Sequence, residues 1–181
     1  VGGLPDGIVD ADMIAAEAVT SPKIGNGGII QVKQTIKTNA WSDNDTSYVD
    51  ITGLNVTIQP TTNSNKILIR FCVHMGHNAA TQHVLQLVRL VSGGSDVPIN
   101  PATYFDATAM FYGSAASGAE AGWERNILSY EWLDSPTTTD SITYRLRTKV
   151  FDASATQYVN RPHSTSDLTG SSTITAMEVV A

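Results

Sequence analysis

Four groups of side chains in this sequence could do chemistry, and their spacing limits what each can do. His74 and His77 sit three apart in a strand-like run. Positions three apart on a strand point to opposite faces, so the two imidazoles cannot chelate one ion. No cysteine, histidine or carboxylate cluster at metal-ligand spacing accompanies them. Neither metal nor cofactor is expected. Asp106, Glu120, Glu124, Glu131 and Asp134 are numerous enough to supply a glycoside-cleaving pair, one acid to protonate the leaving oxygen and one base or nucleophile opposite it. Spacing alone does not bring any two of them within reach. Serine and threonine abound, but no Gly-x-Ser-x-Gly elbow and no Cys-His arrangement stands out. The expectation is no catalytic residue and no enzyme activity.

The other two groups suit binding. Arg145, Arg147 and Lys149 alternate along one strand and form a basic row on a single face. Such a row is either an ordinary solvated sheet face or a contact for acidic groups on a glycan or a neighbouring subunit. Tyr104, Phe105, Phe111, Tyr112 and Trp123 crowd into residues 103–123, a long stretch rich in Ala, Gly and Ser that reads as loop. Aromatic rings stack on sugar faces and anchor interfaces, and long loops in compact domains often carry function. The competing reading is that these rings fill a subunit interface or cap the domain.

The elements that must position these groups are strands. From residue 29 onward apolar residues recur every second position. Ile67, Ile69, Phe71, Val73 and Met75 fall on one face of 66–76, with Leu68, Arg70, Cys72 and His74 on the other, so this strand is expected to be central. Further runs fall at 29–38, 49–58, 83–91, 125–133, 141–151, 157–161 and 172–180, separated by turn-rich stretches such as Ser92-Gly93-Gly94-Ser95. Many short alternating strands without helices between them argue for an all-β fold, an antiparallel β-sandwich of jelly-roll type. At 181 residues, 41% hydrophobic and 15% charged, the chain can hold one domain with a real core and a short extension. A formal net charge of −6 argues against a nucleic-acid footprint. No apolar run approaches the roughly 20 residues of a membrane-spanning helix. The single cysteine, Cys72, leaves no internal disulfide and reads as a small core residue.

Residues 1–28 are different. Leu4, Val9, Ile14, Val19, Ile24 and Ile29 place an apolar residue at every fifth position. A step of five turns about 140° on a helix and changes face on a strand, so no single regular element keeps that row on one side. It suits chains that wind around one another and turn one apolar residue inward per step. Residues 6–15 and 16–25 repeat the arrangement as ten-residue units, each with a capping type after its first apolar residue (Asp10, Thr20). Units without a core of their own need neighbours. A single helix over about 11–19, ended before Pro22, is the other reading. The first reading divides the chain into a trimerising stem, 1–28, and a β-sandwich domain, 29–181.

Several segments resemble bacteriophage tail-fibre and fibre-tip receptor-binding proteins, which join stem repeats to a compact β-domain. They are AVTSPKIG (18–25), IIQVKQTIKT (29–38), SYVDITGLNVTIQPTTNSNKILI (47–69), WLDSPTTTDSITYRL (132–146) and YVNRPHSTSDLTGSSTITAMEVV (158–180). The last, an Asn-Arg pair followed by a Ser/Thr/Asp loop and a Met-Glu ending, is the most specific. The resemblance implies a homotrimer on the outer face of a virion, in contact with other virion proteins. It also implies binding to a host-surface glycan or protein receptor without catalysis. A capsid or tail decoration protein is the alternative, and a polysaccharide-cleaving tip a third.

Overall fold

The computed structural model describes residues 26–99, 107–112, 125–163 and 170–181, with Phe111 and Tyr112 described by their backbone alone. These residues form eleven strands: β1 (Ile29–Lys37), β2 (Trp41–Asp43), β3 (Val49–Ile58), β4 (Lys66–His77), β5 (Gln82–Val91), β6 (Asp96–Pro98), β7 (Ala109–Tyr112), β8 (Arg125–Asp134), β9 (Ile142–Val150), β10 (Gln157–Val159) and β11 (Ser172–Val179). All pairings are antiparallel. One sheet holds β1, β11, β4, β10 and β2, with β8 paired to β4; the other holds β3, β9, β5 and β6, with β7 paired to β5. Residues 67–72 of β4 pair with both β8 and β11, so these two lie on opposite edges of β4. The long strands therefore run β1-β11-β4-β8 in one sheet and β3-β9-β5-β6/β7 in the other. Apart from β5 with β6 and β7, neighbours in each sheet come from distant parts of the sequence, which is jelly-roll topology.

The period-two pattern explains the core. Along β4, Ile67, Ile69, Phe71, Val73 and Met75 are each at most 1% exposed, and Ile142, Tyr144, Leu146 and Val150 of β9 are fully buried opposite them. β4 is central, as expected, with β11 paired along one edge and β8 along the other. In β3, Asp50 pairs with Arg147 and Asn55 with Arg145, so three extra residues bulge out around Gly53, whose φ of +83° suits glycine. The stretch 103–123, read as loop, contains β7, and β6 and β7 run one after the other along the edge of β5. Cys72 is a correction: it is half-buried on the outward side of β4, not in the core.

The direction of β1 also departs from simple amphipathicity. Its register with β11 aligns Thr35 with the buried Ile174 and Lys33 with the buried Ala176. The polar side of β1 therefore points toward the sandwich, and Val32 and Ile36 point outward, 58% and 57% exposed.

The two ends of the sandwich are unlike. Residue 26 enters at the lower end, where Gly27 donates to Val180 O (2.7 Å) and Val180 donates to Gly28 O (2.9 Å). Residues 59–65, 92–95 and 135–141 turn at this end. Glu178, fully buried, organises the first of these turns by accepting from Thr61 N (2.6 Å), Thr61 Oγ1 (2.7 Å) and Asn65 Nδ2 (2.7 Å). The upper end carries residues 38–48, 78–81 and 151–156. It also carries the anchor points of 113–124 and 161–169, since Tyr112, Arg125, Asn160 and Gly170 all lie there.

Candidate binding surfaces

The basic row on β9 lies on one outward face, as its spacing requires. Its two arginines are already neutralised within the chain. Arg145 Nη1 reaches Asp50 Oδ2 (3.1 Å), and its Nη2 pairs with Asp96 Oδ1. Arg147 Nε donates to Asp50 Oδ1 (2.7 Å), and its Nη2 pairs with Asp96 Oδ2. Two guanidinium groups thus share two carboxylates from β3 and β6. Lys149 Nζ sits over the rings of Tyr48 (4.6 Å) and Phe151 (5.1 Å). An acidic ligand would have to displace Asp50 and Asp96 before reaching the arginines. Partly exposed pairs of this kind add little stability, of order 0–1 kcal/mol each. Their effect is to remove net positive charge from the face.

Of the aromatic group, Tyr104, Phe105 and Trp123 lie outside the described residues. Phe111 and Tyr112 belong to β7, where their backbones pair with His83 and Gln82. Of the stem ladder, Leu4, Val9, Ile14, Val19 and Ile24 lie outside the described residues. Ile29 is the first residue of β1 and is 50% exposed. His74 and His77 do take opposite faces of β4, half-buried outward and buried inward. Glu131 and Asp134 also separate: Glu131 is exposed on the outer face, and Asp134 is 8% exposed among groups from the other sheet. The remaining acids, Asp106, Glu120 and Glu124, lie outside the described residues. Among the described residues no group of three or more His, Cys, Asp or Glu side chains could hold a metal ion.

Three polar clusters position the upper and lower loops. At the end of β10, Asn160 has φ = 65° and is fully buried. Its Nδ2 donates to Lys37 O (2.8 Å) and Asn39 O (3.1 Å), and its Oδ1 accepts from Ser172 Oγ (2.6 Å). Its carbonyl accepts from Gly170 N (2.7 Å), which holds residues 160 and 170 together. Residue 161 follows tightly against β4: a Cβ on Gly76 would stand 2.6 Å from Arg161 O. The Tyr158 ring contacts both the Arg161 guanidinium, 4.2 Å from its centroid, and the His163 ring, 5.6 Å between centroids. At the lower end, Asp134 joins β8 to Arg89 of β5 and Tyr144 of β9.

The third cluster is a buried imidazole pair beneath the upper end. The rings of His77 (2% exposed) and His83 (fully buried) stand 5.1 Å apart. Thr148 Oγ1 donates to Val84 O (2.7 Å) and lies 2.7 Å from Gln157 Oε1 beside them. Burial, and secondarily the neighbouring His77, pushes the His83 pKa down to about 4. An unfolded histidine titrates near 6.5. Between those values the unfolded chain binds more protons, so stability is full above pH 6.5 and falls as pH drops toward 4. The total loss is roughly 3 kcal/mol. Urea unfolding at pH 7, 5.5 and 4.5 is expected to show it, and His83→Gln is expected to flatten that slope.

No protein-family model matches the chain, and no curated protein matches it. Solved structures to which it is similar include that of the infectious bursal disease virus Gx strain, at 15% identity and a TM-score of 0.40, covering 83% of this chain and 36% of that one. The infectious bursal disease virus VP2 subviral particle is similar at 15% identity and a TM-score of 0.39, covering 83% and 37%. The chain thus spans little more than a third of the solved chains it matches.

Proposed function

We propose that this chain is a structural virion protein, the homotrimeric tip of a phage fibre that binds a host-surface receptor without catalysis. The observation that carries the reading is the two-ended layout. Residue 26 enters at the lower end beside β11, and residues 38–48, 78–81 and 151–156 turn at the opposite end, where Tyr112, Arg125, Asn160 and Gly170 also lie. A rigid sandwich that presents several loops away from its point of attachment suits a display module. The apolar ladder that leads into β1 supplies the means of attachment and association. Contact with a glycan or protein receptor would fall on the upper end, since both arginines of the basic row on the side face are already paired. Weak contacts repeated over three copies and many fibres would sum to firm adhesion.

The test is competition. Saturating soluble protein is expected to lower adsorption of particles carrying this chain to their host at least tenfold. Unchanged adsorption would reject the receptor role.

A further inference from the structure

The outer face of the sheet β1-β11-β4-β8 is unlike an ordinary solvated sheet face. Register places Val32, Met177, Leu68 and Leu133 side by side across all four strands. Ile36 and Ile127 extend the apolar character, and Val32, Ile36, Ile127 and Leu133 are 43–61% exposed. A natural monomer seldom leaves so continuous a band open. In the next row, Arg70 of β4 stands directly across from Glu131 of β8. Both are exposed, yet among the described residues neither makes an ion pair, and shallow dents flank Arg70 on both sides. Lys66 and Arg125 sit at the two ends of the face, where a polar rim belongs.

We propose that this face packs against a second copy of the same chain, with Arg70 of each copy meeting Glu131 of the next. Three observations favour another copy over a foreign partner. The centre of the face carries one cation and one anion, both unspent, so it is complementary to itself. The last rung of the stem ladder, Ile29, is the first residue of β1, so copies joined through the stem would bring their β1 strands together. The dimensions also fit. Four strands at about 4.8 Å spacing and eight residues at about 3.3 Å give a face of roughly 500 Å², so three faces closed around one axis bury about 1,500 Å² together. Three such walls around a three-fold axis would each stand about 5–6 Å from it, half the ~10 Å between packed sheets. The inference rests on the homotrimer reading and adds the surface on which it closes.

Cys72, the single cysteine, lies on this face one row beyond Arg70 and reports its accessibility. The test uses the full chain, with sedimentation for mass, a thiol reagent for Cys72 and thermal unfolding as a check on folding. The expected result is an assembled wild type whose Cys72 reacts at least 10-fold more slowly than in the dissociated Arg70→Glu variant. The double reversal Arg70→Glu/Glu131→Arg should regain both mass and protection. Leu133→Lys, an exposed position, should dissociate the assembly without unfolding the domain. An assembled wild type whose mass and Cys72 reactivity ignore these substitutions would overturn the face and leave the homotrimer standing. A wild type that is monomeric throughout would overturn both.

Discussion

Asp134→Ala is expected to cost about 3–5 kcal/mol, a large share of the 5–15 kcal/mol that holds a domain of this kind together. The carboxylate is the junction between the sheets at the lower end. Arg89 Nη1 donates to both of its oxygens (2.9 and 2.8 Å), and the Tyr144 hydroxyl donates to Oδ2 (2.8 Å). Tyr144 is fully buried, and burial together with the adjacent carboxylate raises its phenol pKa, so it remains a donor at every ordinary pH. Alanine would leave that hydroxyl without an acceptor and the Arg89 charge without a counter-ion. Removing one partner of a buried pair costs more than removing both. Asp134→Ala/Arg89→Met is therefore expected to be more stable than Asp134→Ala alone in urea unfolding. If the single variant unfolds like wild type, the junction contributes nothing.

Asn160→Ala is the second large effect, expected at about 3–4 kcal/mol. The substitution removes three side-chain hydrogen bonds and strips Lys37 O of its donor. It also places a Cβ residue without a polar side chain at φ = 65°, a conformation that asparagine tolerates and alanine does not. Substitutions should rank by physical cause. Asn160→Gly relieves the backbone and loses only the hydrogen bonds, so it should cost about 1 kcal/mol less than alanine. Asn160→Asp points an oxygen at two carbonyls and should be at least as damaging as alanine. Hydrogen exchange at Gly170 N, bonded to Asn160 O, should quicken in step with each loss. Equal stability of the glycine, alanine and aspartate variants would refute the assigned role.

How much of this was legible in the sequence depended on what each feature required. Central strands were legible because burial on one face imposes period two, as in Ile67 to Met75 of β4 and Ile142 to Val150 of β9. The strands β2, β6 and β7 were not, because three or four residues carry no period and are fixed by pairing with β10 and β5. The alternation in β1 was visible, but alternation does not state which face is inward. Only the register with β11 shows that Val32 and Ile36 turn outward. Partners far apart in sequence were equally hidden: Asp50 and Asp96 approach Arg145 from 95 and 49 residues away. Asp134 was visible as an acid but not as a buried junction. Asn160 stood within the most specific segment, yet its role needed the positive φ and the carbonyls of Lys37 and Asn39.

Association is what the proposed display role needs most, since a tip built on a shared apolar seam has no seam as a single chain. Sedimentation equilibrium of the intact protein at neutral pH, from one to fifty micromolar, tests this most directly. With a chain mass of 19.3 kDa, the expected species is a trimer of about 58 kDa that persists through dilution. A single 19.3 kDa species over that whole range, with the sandwich folded, would contradict it.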